Sequence, residues 1–325
     1  MNWRPAAHVD VLRLRARMLE RVRAFFAERG VLEVETPILS ASATTDPNLA
    51  SLSTRYTGPG AANGRTLYLH TSPEFAMKRL LAAGSGSIYQ LCKTFRDGEA
   101  GRLHNPEFTM LEWYRVSFDV PALMDEVAAL VSFVLAERAP RDVEKITYRD
   151  AFVRYAQVDP LDADVHALER CAVRHGISVP HEMPRDRLDP WRDLLLTHVV
   201  EPALDPGKMV FVYDYPASQA ALARIRPGEP PLAERFELYI GGAEIANGFY
   251  ELADAAEQRR RFDSDIAARR ALGLSAPPMD RHLLDALKSG IPDCSGVALG
   301  FDRLAMIAGN VRSIEDVLPF PIERA

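Results

Sequence analysis

Along the first forty residues the apolar positions change period. In VLRLRARMLERVRAFFAER, residues 11 to 29, Leu14, Met18, Val22, Phe25 and Phe26 fall at helical spacing among arginines, and Gly30 stands where a helix would stop. The spacing predicts an amphipathic helix. In VLEVETPIL, which follows, Leu32 and Val34 alternate with Glu33 and Glu35, predicting a strand that Pro37 ends. After a polar loop, 40 to 48, TLYLHTSPEFAMKRLL predicts a short strand turning into a helix. The runs SIYQLCKTFR, 87 to 96, and FTMLEWYRVS, 108 to 117, predict antiparallel partners around the loop DGEAGRLHNPE. Asp119 and Pro121 open a helix carrying Leu123, Val127, Leu130 and Val134.

Residues 139 to 207 have the weakest pattern and predict a helical, peripheral segment. VFVYDYPASQAALARI predicts a strand entering a turn with Ser and Gln, and RFELYIGGAEIANGFYEL a hairpin with Gly-Gly at its tip. Residues 254 to 272 predict a polar helix closed by Gly273, and SGVALGFDRLAMIAG, 295 to 309, a Gly-rich strand entering a helix. No internal repeat and no long linker divides the chain, so one domain over 1–325 is expected.

Composition narrows the field only modestly. A 325-residue chain, 47% hydrophobic, suffices for a sizeable core, and a formal charge of -6 supplies no global basic field for nucleic acid. Cys92, Cys171 and Cys294 form no CxxC pair, which argues against a zinc site or a disulfide framework. No apolar run approaches the roughly 20 residues of a membrane span, and the N-terminus lacks the apolar core of a secretory signal. A cytoplasmic protein is expected.

Charge concentrates between the two central strands. FRDGEAGRLHNPEFTMLEWYR, 95 to 115, carries Arg96, Asp97, Glu99, Arg102, His104, Asn105, Glu107 and Glu112. With strict alternation Phe108, Met110, Glu112 and Tyr114 share a face, and Arg96 shares one with Cys92 and Thr94. For Asp97 and Arg102 a solvated loop is explanation enough. For Arg96 and Glu112, flanked by aromatics, a site is favoured over pairing of Glu112 with Arg115 or Lys93, because charges on apolar surfaces rarely lack partners.

The Gly-Gly hairpin holds a second acidic pair. With Gly241 and Gly242 at the tip, Tyr239 faces Glu244, and Glu237 and Glu244 become diagonal neighbours, about 7–8 Å apart between Cβ atoms. That separation suits Mg²⁺ with bound phosphate, and equally a solvent-facing pair. Regular alternation sends Asn247, Phe249 and Glu251 to the opposite face; a pocket containing all five requires a bulge, expected near Gly248. GVALGFDR, 296 to 303, matches neither a Walker loop nor a dinucleotide fingerprint. Arg303 falls near a helix start, where a cation opposes the macrodipole unless it meets an anion such as a triphosphate or pairs with Asp302 or Glu315. Thr71, Pro73 and Glu74 in TSPEF match a capping box.

Taken in order, these segments resemble the three signature motifs of class II aminoacyl-tRNA synthetases. FFAERGVLEVETPIL is similar to motif 1, the dimer-interface helix and strand; the 95–115 stretch to motif 2; GVALGFDRLAM to motif 3. HNPEF, LEWY and GAEIANGFYEL are most similar to the lysyl type. The resemblance implies an α+β catalytic core, a mostly antiparallel sheet flanked by helices. It implies that Arg96 and Arg303 are catalytic, gripping the α- and γ-phosphates, and that Asp97, Gly98, His104, Asn105, Phe108, Glu237, Leu238 and Gly300 complete the ATP site. Glu237 and Glu244 would bind Mg²⁺. Ser72, Pro73, Glu74, Glu112, Tyr114, Glu244, Asn247, Phe249, Glu251 and Ala298 would line the pocket for a lysine-like amino acid.

Two positions depart from the lysyl pattern. Motif 2 usually reads FRxE, but Gly98 takes the fourth place and Glu99 follows; Ala298 stands where lysyl enzymes have Gly. The motif 1 helix begins at about residue 11, which leaves no room ahead of it for an anticodon-binding barrel. With MLEWYR and PDCSGVALG, this narrows the resemblance to the freestanding lysyl-tRNA synthetase paralogues that β-lysylate elongation factor P. The resemblance then implies a homodimer that uses ATP, Mg²⁺ and a lysine-like acid, takes elongation factor P as its acceptor and reads no anticodon. The alternatives are a truncated synthetase acylating tRNA or another acceptor, and a synthetase-like regulatory subunit without chemistry.

Overall fold

The structure is a computed structural model that describes residues 3–61 and 63–325. The chain forms two compact units, one of residues 1–118, 133–138 and 253–325, the other of 119–132 and 139–252.

In the first unit the amphipathic helix spans Val9–Ala27 and buries Met18, Val22, Phe25 and Phe26. Phe26 stacks on Tyr89 at 4.3 Å and meets Trp113 edge-on at 5.5 Å, so the helix covers one face of the central strands. Those strands, Ile88–Phe95 and Glu107–Val116, are antiparallel as expected, with Gln90 opposite Glu112, Cys92 opposite Met110 and Thr94 opposite Phe108. Cys294–Gly300 pairs antiparallel on the other side of Glu107–Val116 and sets Ala298 opposite Glu112. The other face is covered by the helix Glu74–Ala82, whose Met77 and Leu81 pack with Ile88, Tyr114 and Cys294. Each fully buried side chain of this kind contributes roughly 1.5–3 kcal/mol, enough to offset a few buried polar groups among them.

The expected strand after the first helix is shorter than its alternation suggests. Only Leu32–Glu33 pairs, parallel to Ile88–Tyr89, and both residues are exposed. Glu33 is drawn outward by Arg23 and by the Tyr89 hydroxyl, which donates to it at 2.8 Å. A small antiparallel sheet joins Leu39–Ser40, Ser53–Tyr56 and Arg65–Leu69. The capping box is not formed. The helix starts after Pro73, Thr71 does not cap it, and the Ser72 Oγ instead accepts from the Glu74 N–H at 3.0 Å. The polar helix Ala255–Ala271 is capped by Asp254, and Gly273 follows it with φ +70°. Arg281–Ser289 is a further helix, and Phe301–Gly309 follows the Gly-rich strand directly.

In the second unit the strands follow the order Ala243–Tyr250, Leu232–Ile240, Lys208–Pro216, Asp142–Thr147. Asp142–Thr147 runs parallel to Lys208–Pro216 and falls within the segment expected to be helical. Helices Val165–Arg174 and Asp189–Leu195 pack on this sheet around Trp191, Phe152, Tyr148 and Leu168, all fully buried. The residues from 139 to 207 therefore build a core rather than a periphery; their short amphipathic pieces hide the pattern because each buries only a few side chains.

Candidate active site

In the first unit the charged positions gather on the sheet face beneath the helix Glu74–Ala82. Alternation and register together put Arg96, Thr94, Cys92 and Gln90 on the same face as Phe108, Met110 and Glu112. Glu112 is 2% exposed, and its two oxygens accept from the Ser72 and Tyr114 hydroxyls, each at 2.7 Å. Burial first, and then the like charge of Glu74, push its carboxyl up to about 7, against the pull of Tyr114, Ser72 and Lys78. Glu74 itself is held by the buried Lys78, whose Nζ donates to Oε1 at 2.6 Å. The Cys92 thiol is pushed up to about 12 by burial and by Glu112, which makes it a packing group rather than a nucleophile. The result is a buried Glu112 beside a partly buried Glu74, with Ala298 opposite Glu112 on the next strand, a setting that suits an ammonium group.

At the end of these strands the loop closes tightly. Gly98 sits at φ +80°, so only a residue tolerant of the left-handed region fits, and Asp97 N–H is spent on the Ala50 carbonyl at 2.8 Å. Arg96 lies over the Phe108 ring at 5.1 Å and pairs with Glu99 at 3.5 Å, so the glutamate displaced by one residue from the motif 2 pattern still reaches this arginine. Arg303 donates to His104 Nε2 at 2.7 Å and to the Leu103 carbonyl at 3.3 Å. Burial, then Arg303, holds the His104 imidazole below its ordinary value, so it stays neutral and accepts. Asp302 is not the partner of Arg303: it pairs with Arg15 at 2.5 Å and accepts from Thr109 N–H at 2.7 Å. Asn105 bridges backbone, donating to Glu107 O at 2.6 Å and accepting from Ile322 N–H at 3.0 Å. Gly300 ends its strand opposite Met110.

In the second unit the hairpin turns at Gly241 and Gly242, with φ +60° and +76°, and Tyr239 faces Glu244 as expected. The bulge sits elsewhere than expected. Leu238 pairs with Ala246 and Tyr239 with Glu244, which leaves Ile245 as the extra residue, three positions before Gly248. That single insertion reverses the parity and puts Asn247 opposite Glu237 and Phe249 opposite Arg235, on the face of Glu244. Leu238 points the other way and is fully buried. Glu251, 2% exposed, continues the strand and bridges to Ala223.

Glu237 is densely held. Oε1 accepts from Arg235 Nη2 at 2.5 Å and Asn247 at 3.4 Å; Oε2 accepts from Tyr215 at 2.6 Å and from Tyr239. A carboxylate offers about four lone-pair sites, so as placed its acceptor capacity is filled. Mg²⁺ takes one or two carboxylates and leaves the rest to phosphate and water. The two hairpin acids fit that donor set, provided Arg235 gives way at Glu237. Arg235, Tyr215, Tyr239 and Lys78 were not singled out in the sequence. Lys78 was legible as an i,i+4 partner of Glu74, and Arg235 and Tyr239 as the alternate positions flanking Glu237; Tyr215, 22 positions away, carries no local signal.

A family model described as tRNA synthetases class II (D, K and N) matches residues 1–324. The chain belongs to this class II synthetase family. Proteins named elongation factor P–(R)-beta-lysine ligase are similar over the full chain: one from Yersinia enterocolitica is 51% identical over 324 residues, covering 100% of this chain and 98% of that protein. Counterparts from Salmonella arizonae and Vibrio cholerae are each 50% identical over 324 residues, covering 100% of this chain and 98% and 99% of theirs. The α+β fold expected from the motifs is that of the family. Among the described residues no helix is long and apolar enough to cross a membrane.

Proposed function

We propose that this chain is an ATP-dependent ligase that activates (R)-β-lysine as an aminoacyl-adenylate and transfers it to a lysine ε-amine of elongation factor P. The observation that carries the reading on this chain is Glu112, buried with hydroxyl donors and beside Glu74, an acidic pocket in a position where an amino acid's ammonium would complete it. The full-length similarity to ligases of that name supports the acceptor and the amino acid.

In the first step a carboxylate oxygen of the amino acid attacks the α-phosphorus of ATP, the bond to the bridging oxygen breaks and pyrophosphate leaves. Arg96, backed by Phe108, would hold the α-phosphate, and Arg303, steadied by the neutral His104, would hold the γ-phosphate. Both act by meeting charge as it redistributes over phosphate oxygens, the dominant need in phosphoryl chemistry. Glu237 and Glu244 would hold Mg²⁺, which supplies further neutralisation of phosphate charge when bound. Glu112, Tyr114, Ser72 and Glu74 would hold the substrate's ammonium groups beside Ala298; in the second unit, Asn247, Phe249 and Glu251 would be substrate contacts. In the second step the acceptor's neutral ε-amine attacks the adenylate carbonyl, the nitrogen gives up a proton to solvent as the amide forms, and AMP leaves with the electron pair of the broken bond. Leu32 and Leu39, exposed in the motif 1 stretch that follows the first helix, suit a homodimer, and a role in modifying a translation factor suits the cytoplasm.

Pyrophosphate exchange with α-lysine and (R)-β-lysine, followed by intact mass of elongation factor P, tests the reading. Exchange dependent on β-lysine and a factor heavier by one lysyl residue are expected. Absence of amino-acid-dependent exchange overturns it in favour of a regulatory subunit, and transfer to tRNA but not to the factor in favour of a truncated synthetase.

A further inference from the structure

The helix Glu74–Ala82 turns a lysine inward where an apolar residue would pack more cheaply. Lys78 is 1% exposed and shares its helix face with Met77 and Leu81, both buried. Its Nζ lies 2.6 Å from Glu74 Oε1, one turn back. An ammonium withdrawn from water is costly unless paired, and an i,i+4 pair made only for helix stability would sit on the solvated face. Lys78 also acts on Glu112, where it opposes the repulsion from Glu74. The ionisable groups facing Glu112 are Glu74 and Lys78 from the helix, Tyr114 from its own strand and Cys92 from the adjacent strand. The strand on the other side presents Ala298 opposite it.

We propose that Lys78 is a positioning residue of the amino-acid pocket: its ammonium holds the Glu74 carboxylate in one orientation and favours the Glu112 anion that receives the substrate's ammonium. This rests on the reading of Glu112 as that ammonium's partner. Lys78 reaches the substrate only through the two acids. Without it, two carboxylates in one buried pocket cannot both ionise at neutral pH, and the proton settles on Glu112, the more buried. A protonated Glu112 offers an ammonium a neutral hydrogen bond in place of a charge-assisted one, and charge-assisted bonds are about twice as strong.

The test uses the full-length enzyme in pyrophosphate exchange from pH 6 to 9, reading KM for the amino acid and for ATP separately. In the unaltered enzyme the amino-acid KM falls as pH rises through about 7, where Glu112 loses its proton. Lys78→Met moves that midpoint up by about one pH unit or more and raises the amino-acid KM at pH 7 about fivefold or more, with the ATP KM unchanged. Lys78→Arg, which keeps the charge, holds the midpoint near its original place. Should Lys78→Met fail to fold, Lys78→Gln keeps an amide donor near Glu74, removes only the charge and shifts the midpoint in the same sense. An unmoved midpoint, or equal rises in both KM values, overturns the proposal. Glu112→Gln separates the two readings: if it leaves the amino-acid KM unchanged, the pocket assignment itself fails. If it raises that KM while Lys78→Met moves no midpoint, only the role of Lys78 fails.

Discussion

Replacement of Glu112 by Gln is expected to remove a pH dependence of stability whose size follows from the site. Burial and the charge of Glu74 disfavour the Glu112 anion and push its carboxyl from an ordinary 4.5 up to about 7 in the fold. As pH rises from 4.5 the unfolded chain loses this proton first, so between those values the folded state binds more protons and stability falls with rising pH. The contribution is fully present below 4.5 and is lost as pH rises through about 7. At about 1.36 kcal/mol per unit the loss amounts to about 3 kcal/mol. Glu112→Gln keeps one carbonyl acceptor for Ser72 or Tyr114 and cannot ionise, so its stability lacks this slope. Urea unfolding of ligand-free enzyme at pH 5, 6, 7 and 8 measures it. Trp113, fully buried one residue from Glu112, reports the first unit in a Trp191→Phe background. The difference in unfolding free energy between parent and variant should change by about 2.5 kcal/mol across the series, moving in the variant's favour as pH rises. Parallel curves would refute the assignment of a buried, proton-retaining Glu112.

Arg235→Met leaves Glu237 in its buried position without its cation, and loss of one partner of a buried pair costs about 3–5 kcal/mol; urea unfolding followed at Trp191 should show it, and Arg235→Met with Glu237→Gln should recover part of the loss. Asp302→Asn weakens the tie to Arg15 and to the Thr109 N–H, and a loss of about 1–3 kcal/mol is expected by thermal unfolding of the first unit. Gly242→Ala places a Cβ at φ +76° and should lower stability by about 1 kcal/mol, read as a shift in unfolding midpoint. Ala298→Gly opens space opposite Glu112, and one methyl group's worth of pocket is about 1–3 kcal/mol of discrimination; the ratio of kcat/KM for α- and β-lysine should change by tenfold or more.

Local patterning by itself determined the helix Val9–Ala27, the antiparallel pair Ile88–Phe95 and Glu107–Val116, and the hairpin turning at Gly241–Gly242. It also put Glu112 on one face of its strand with Phe108 and Met110, and Arg96 on one face of its strand with Cys92 and Thr94, because alternation along a strand is a property of the backbone and needs no partner; the register between the strands then joined the two faces. Tertiary structure alone decided three things. It set the bulge at Ile245 rather than near Gly248, since a bulge depends on how two strands match along their length. It chose the distant partners of the charges, Arg15 for Asp302 and Tyr215 for Glu237, which no local spacing in the chain announces. And it raised the carboxyl of Glu112, because the withdrawal of water that does so belongs to the packed helix and sheet around it and to no residue of the strand alone.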